Sequence, residues 1–243
     1  MTVLAIIQAR MGSTRLPGKV LMDIAGRTML SRVVRRAARA AALDKVVVAT
    51  TLHHADEPVE SEARALGVGV YRGSEQDVLD RYCQAARQSP ADMICRITSD
   101  CPLIDPGLID RVVESCLSSG ADYASNTLSR TFPRGLDVEV FSHTTLERAW
   151  REASEPYQRV HVTPYVYQHP ERFRLVNVEA PSDLSAHRWT VDTPEDLELV
   201  RRIYADLGSE DSFGWREALD LVRSDPPRFL VNSHIQQKAL EDG

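Results

Sequence analysis

From Val3 to about Ala124 short apolar runs alternate with amphipathic stretches, the rhythm of parallel strands joined by crossover helices. Val3 to Ile7 and Lys45 to Thr50 are β-branched and nearly unbroken, which predicts strands buried on both faces. Between them the Ala- and Arg-rich stretch Met29 to Ala42 reads as a helix. A second helix is expected from Asp56 to Leu66, stopped by Gly67, with a short strand at Val68 to Tyr71. Ser74 and Asp77 have the spacing of a capping box and predict a helix over Glu75 to Gln88, followed by a strand at Asp92 to Thr98. Asp105 before Pro106 caps a helix that runs to Ser119, and Asp122 to Ser125 begins a further strand.

After Asn126 the rhythm changes. Leu136 to Phe141 alternates as a strand does, Thr144 to Ala153 and Tyr157 to His169 are helical in pattern, and Phe173 to Val178 is strand-like. This stretch, about 127–180, is expected to be an insertion into a single domain spanning 1–243, and the place for a dimer contact. Trp189 to Val191 returns to strand character. Thr193-Pro194-Glu195-Asp196 starts a helix, with proline at its first position and acids in its first turn, and one more helix follows at about Trp215 to Arg223.

Composition excludes several classes. At 243 residues, with 43% hydrophobic and 26% charged positions, the chain suits one large α/β domain and is not of the disordered class. A net charge of −6 gives no electrostatic case for a nucleic-acid partner. No apolar stretch is long enough to span a bilayer, and Met1 to Gln8 has neither a basic lead nor a cleavage site, so a cytoplasmic location without membrane partners is expected. Cys83, Cys95, Cys101 and Cys116 form no CxxC pair and are expected to be reduced and mostly buried. His53 and His54, adjacent on an extended segment, would point to opposite faces and make a poor metal pair.

Chemistry concentrates in three segments. Gln8-Ala9-Arg10-Met11-Gly12-Ser13-Thr14-Arg15-Leu16-Pro17-Gly18-Lys19 leaves the first strand with two glycines, three cations and two hydroxyls, the materials of a phosphate cradle. It is not a P-loop, because five residues separate Gly12 from Gly18 and Val20 follows Lys19. Gly67, Gly69 and Gly73 likewise miss the dinucleotide fingerprint and sit ahead of a strand. The second segment, Arg96 to Asp105, places Asp100 just past a buried strand, where an acid is also a common turn residue before a proline such as Pro102. The third, Arg188 to Leu197, ends a strand at Asp192, an acid that the helix dipole would favour in a first turn. The two aspartates can meet only if both segments end on one edge of one sheet.

In this order, from Val3 to about Asp206, the motifs resemble those of the SpsF-like nucleotidyltransferases of spore-coat polysaccharide biosynthesis, a branch of the acylneuraminate and CMP-Kdo synthetase-like cytidylyltransferases. The resemblance implies a three-layer, Rossmann-like nucleotide-diphospho-sugar transferase fold with a mostly parallel sheet, a homodimer, and transfer of CMP from CTP to an acidic small-molecule acceptor. It further implies nucleotide contacts from Ala9, Arg10, Met11, Gly12, Ser13, Arg15 and Lys19, with Arg15, Lys19 and Asp100 catalytic and Mg2+ on Asp100 and Asp192. Ser74, Asp77 and Arg81 of GSEQDVLDRY match a segment near the base and ribose, although Ser74 and Asp77 are already explained as a cap. Asn126, Arg134, Asp137 and Glu139 of N…RGLDVEV, with His161 of His-Val-Thr-Pro-Tyr, match acceptor-side positions. One departure matters: CMP-Kdo synthetases carry an acid where this chain has Cys101, so the acceptor is left open among keto sugar acids, phosphorylated sugars or polyols, and phosphonates. Two rivals stand beside this reading. One is a nucleotide-sugar glycosyltransferase with Asp137 and Glu139 as its metal pair; the other is a non-catalytic nucleotide-binding subunit.

Overall fold

A computed structural model describes residues 1–237. The continuous apolar runs become the sheet centre. β1 (Val3–Gln8) leads through a small hairpin, β2 (Asp23–Ile24) and β3 (Arg27–Thr28), into helix α1 (Met29–Ala37). Then β4 (Lys45–Thr51), α2 (Glu57–Ala65), β5 (Gly69–Gly73), α3 (Val78–Gln88), β6 (Met93–Thr98), α4 (Pro106–Ser119) and β7 (Tyr123–Ser125) alternate as the pattern predicts. The 127–180 stretch supplies β8 (Glu139–Ser142), α5 (His143–Glu152), α6 (Pro156–His161), α7 (Pro164–Tyr167) and β9 (Leu175–Asn177). Helices α8 (Pro194–Leu207), α9 (Trp215–Ser224) and α10 (Pro226–Phe229) complete the described chain.

Seven strands form one sheet in the order β5-β4-β1-β6-β8-β7-β9. Only β8 runs against its neighbours, pairing antiparallel with both β6 and β7. The side chains of β1 alternate between two apolar layers. Val3, Ala5 and Ile7 join the core formed with α1, α4, α8 and α9, while Leu4 and Ile6 face the core formed with α3, α5 and α7. The fold is therefore a three-layer α/β architecture with a mostly parallel sheet, as the resemblance implies. Because β1, β4 and β6 are parallel, their carboxyl ends open onto one edge, where ligands bind in open α/β sheets.

Several expectations are corrected, each by a tertiary contact that overrides local preference. Helix α1 ends at Ala37 instead of Ala42, since the Ala42 amide is drawn 2.8 Å from Asp110 Oδ1 on α4. Helix α3 starts at Val78, not Glu75. Ser74 Oγ accepts from the Asp77 amide in a preceding turn, and Asp77 is the cap, accepting from the Asp80 amide. The expected helix Tyr157 to His169 breaks into α6 and α7 at Val162, whose φ of +75° is costly for a β-branched residue. That break sets the Thr163 hydroxyl 2.5 Å from Glu139 Oε2. The strand at Leu136 to Phe141 begins only at Glu139. Trp189 to Val191 is no strand; it is extended chain bound to Arg134 and Asp100.

Asp105 caps α4 as expected, accepting from the Leu108 amide, and its second oxygen accepts from the Trp215 amide at the head of α9. Four arginines of α1 and the turn after it, Arg32, Arg35, Arg36 and Arg39, all reach the 209–213 segment. Arg32 and Arg36 are fully buried, and each also bonds a carbonyl elsewhere, Ile24 O and Ile104 O respectively.

Candidate active site

The loop after β1 folds back on itself. The Gly18 amide donates to Met11 O at 3.0 Å, Ser13 Oγ accepts from the Leu16 amide, and the Met11 amide donates to Asp56 Oδ1 at 2.6 Å. A short 3-10 turn, Lys19–Leu21, then buries Lys19 beneath the loop. Between these anchors the amides of Gly12, Ser13, Thr14 and Arg15 make no hydrogen bond within the described residues. Gly12 and Thr14 are exposed, so their amides are open to solvent or to an incoming anion. A Cβ at Gly12 would meet nothing nearer than 3.7 Å, so this glycine leaves open approach from outside rather than relieving a clash.

Below the loop the two remote aspartates meet. Lys19 Nζ lies 3.2 Å from Asp100 Oδ2, 2.8 Å from Asp192 Oδ1 and 2.8 Å from Val191 O. Asp100 lies two residues past the end of β6, and its other oxygen accepts from Thr98 Oγ1 at 2.6 Å. Asp192 is delivered by the extended 188–192 segment, which is clipped to the β6 end by the Val191 amide donating to Asp100 O at 2.8 Å. The two aspartates thus converge on Lys19, but not as the ends of two strands on one sheet edge, since no strand carries Asp192. Burial works against the charge on Lys19, but the two carboxylates outweigh it and raise its pKa. Burial likewise opposes ionisation of Asp100, yet Lys19 and Thr98 hold its carboxyl below the ordinary range.

More cations surround this pair. Arg15 reaches Asp192 Oδ2 at 3.0 Å, and Arg188 reaches the same oxygen at 2.8 Å while also pairing with Asp196. Asp196 is fully buried, closing a capping box with Thr193 at the start of α8. Arg134 stands beside this group. Its half-buried guanidinium has a lowered pKa, from burial first and then from the like charge of Arg130, and it makes no ion pair within the described residues. Its backbone is locked to the Asp192 segment, for Arg134 O accepts from both the Trp189 and Thr190 amides. The contact requires Gly135, at φ +104°, because a Cβ there would fall 2.4 Å from Thr190 N.

The other expected site residues divide. Arg10 is exposed and 3.8 Å from Glu75, which brings the first loop and the 74–77 turn together. Arg81 lies under that turn, 2% exposed, donating to Ser74 O at 2.5 Å, with burial lowering its pKa. Asp77 is committed to its cap and to a two-nitrogen pair with Arg159. Ala9 is buried, its amide bonded to Ala49 O. Asn126 is fully buried and bridges Leu136 O and the Val138 amide. Asp137 is gripped by Arg130, and Glu139 by Arg96, Tyr123 and Thr163. His161 ends α6. Sequence reasoning passed over Arg188, Thr98, Asp56 and Arg130. Of these only Arg188 had a readable signal, a cation four residues before Asp192. A cleft of about 840 Å³ lined by Leu21, Thr28, His54 and Pro58 lies to one side, and none of the expected site residues lines it.

A three-layer α/β sheet with a lysine-bridged carboxylate pair at its carboxyl edge is the architecture of the nucleotidyltransferases. A family model described as cytidylyltransferase matches residues 4–220. The chain belongs to that family, and it is a CTP-dependent nucleotidyltransferase. An uncharacterized protein of Methanocaldococcus jannaschii is 39% identical over all of this chain and 99% of its own length. The spore coat polysaccharide biosynthesis protein SpsF of Bacillus subtilis is 35% identical over 92% of this chain and 95% of its own. A solved cytidylyltransferase from Leptospira borgpetersenii superposes with a TM-score of 0.91 at 34% identity, covering 98% of this chain and 100% of that one. No helix among the described residues is long and apolar enough to cross a membrane.

Proposed function

We propose that the chain transfers CMP from CTP to an oxygen of an acidic small-molecule acceptor, with release of pyrophosphate and with Mg2+ as cofactor, in surface-polysaccharide or related biosynthesis. One observation carries the reading: Asp100 and Asp192, ninety-two positions apart, converge on Lys19 beneath the first loop. The pathway is supported by the name of the Bacillus subtilis relative.

The donor set fits a hard cation. Two carboxylates and the Val191 carbonyl face one point, and no cluster of three or more His, Cys, Asp or Glu among the described residues forms an all-protein cage. Mg2+ is commonly held in this way, by one or two carboxylates completed by substrate phosphates and water. Bound on Asp100 and Asp192, it would neutralise charge at the α-phosphate.

The remaining work belongs to the chain. The 12–15 amides receive phosphate oxygens, and Arg15 and Lys19 stabilise the departing pyrophosphate, so the acceptor oxygen attacks the α-phosphorus in line with no covalent enzyme intermediate. Arg134 offers its guanidinium to the anionic group of the acceptor. The glycosyltransferase alternative needs Asp137 and Glu139 free as a metal pair, whereas both are occupied by arginines. A thermal-shift screen of the four nucleoside triphosphates with Mg2+, then acceptor trials read by pyrophosphate release, tests the reading. CTP is expected to stabilise most. Release of a free nucleoside diphosphate instead of pyrophosphate would transfer the assignment to sugar transfer.

A further inference from the structure

The bridging lysine leaves no oxygen of the acid pair free. An ammonium has three hydrogens, and Lys19 spends them on Asp100 Oδ2, Asp192 Oδ1 and Val191 O. Of the remaining carboxylate oxygens, Asp100 Oδ1 accepts from Thr98, and Asp192 Oδ2 accepts from Arg15 and Arg188. The carboxylates that would hold a divalent ion are thus the ones that already hold Nζ. Lys19 in this position also has no hydrogen left for a phosphate.

We propose that Lys19 and the divalent ion exclude one another at the Asp100–Asp192 pair, so that the ion enters with the nucleotide, whose phosphates draw Lys19 off the carboxylates. The inference rests on the metal-dependent reading above. Charge supports the order of events. A bare exchange would set the displaced ammonium loose beside Arg15 and Arg188 with no new acceptor. With nucleotide present the ammonium moves from two carboxylates to phosphate oxygens, and the doubly charged ion replaces it between the acids. Nucleotide and ion are then reciprocally coupled, each raising the affinity for the other. Lys19 serves first as a guard of the metal seat and then as a phosphate ligand.

Mn2+ is the probe, titrated calorimetrically into protein without nucleotide and followed in parallel by thermal melts. Lys19→Gln and Lys19→Ala are each expected to bind Mn2+ about tenfold more tightly than the wild type, since a charge in contact with the site outweighs a distant one. Arg134→Ala, which removes a neighbouring cation bonded to neither acid, should change the affinity no more than about twofold on the same argument. Adding Asp100→Asn to Lys19→Gln should abolish the gain. In the unaltered protein CTP should tighten Mn2+ binding, and that coupling should shrink in Lys19→Gln. Lys19 variants that bind Mn2+ no better than the wild type, or no better than Arg134→Ala, overturn the proposal. So does an unaltered protein whose Mn2+ affinity ignores CTP. Tight Mn2+ binding by Lys19→Gln, with no pyrophosphate from any acceptor in the unaltered protein, would leave the exclusion standing and remove the transferase reading; pyrophosphate release by the unaltered protein with no gain in Mn2+ affinity in Lys19→Gln would do the opposite.

Discussion

Replacing Gly135 by alanine is the sharpest structural test of how Asp192 is held. The added Cβ would lie 2.4 Å from Thr190 N, 2.5 Å from Trp189 C and 2.9 Å from Trp189 O, all backbone atoms that cannot swing aside. The φ of +104° costs an L-residue about 1–2 kcal/mol before any clash. Relieving the clash pulls Arg134 O away from the Trp189 and Thr190 amides, two hydrogen bonds of roughly 1 kcal/mol each. The sum is at least about 3 kcal/mol, a large share of the roughly 5–15 kcal/mol that holds a domain together. For a chain of this size it corresponds to a melting temperature lower by about 6–12 °C. Urea unfolding followed by tryptophan fluorescence reads the loss, and Trp189 itself sits at the contact. A loss under about 1 kcal/mol, the level of an ordinary surface change, would show that residues 133–135 do not brace the Asp192 segment and would refute the reasoning.

Asp100→Asn keeps the shape of the site but removes one of the two charges that face Lys19, and turnover should fall at least about a hundredfold by analogy with other lost transition-state contacts; steady-state assays on protein of unchanged far-ultraviolet circular dichroism check it. Asp105→Ala leaves two helix-terminal amides, those of Leu108 and Trp215, without acceptors and should cost about 2 kcal/mol in urea unfolding, with little change in activity per folded molecule. Glu147 is held down to about 2 by its two hydrogen bonds from Arg87, from an ordinary value of 4.5. A depressed acid contributes fully above its unfolded pKa and loses that contribution as pH falls towards the folded one, so Glu147→Gln should remove part of the acid sensitivity between pH 4.5 and 2 and leave the slope above pH 5 unchanged.

Elements with a long apolar run or a local capping signal were readable. β1, β4 and β6 announced themselves as unbroken apolar runs, and Asp105-Pro106 and Thr193-Pro194 marked helix starts because capping chemistry is local. What escaped reading depended on partners far along the chain. The β2–β3 hairpin has two residues per strand, too few for any period. The Trp189 to Val191 segment has strand composition, yet its amides go to Arg134 and Asp100, leaving it outside the sheet. Within the site, the aspartates and the cationic loop were visible because open α/β sheets collect ligands beyond their strand ends. Asp137 and Glu139 stood only as acceptor-side matches and as the rival's metal pair, and nothing local in the sequence shows that Arg130 and Arg96 already hold them.

The buried guanidinia of Arg32 and Arg36 have a consequence for biosynthesis. Their acceptors include carbonyls of residues 209–213, synthesised some 175 positions later. Until that stretch leaves the ribosome, two permanent charges on α1 have only the carbonyls of Ile24, Ala25 and Ile104 and lack the rest of their acceptors, so the packing around α1 is completed only after residues 209–213 arrive. Maturation of this enzyme therefore waits for its carboxyl-terminal residues, and a chain that stops short of residue 209 is expected to be held by chaperones or degraded instead of surviving as a smaller domain.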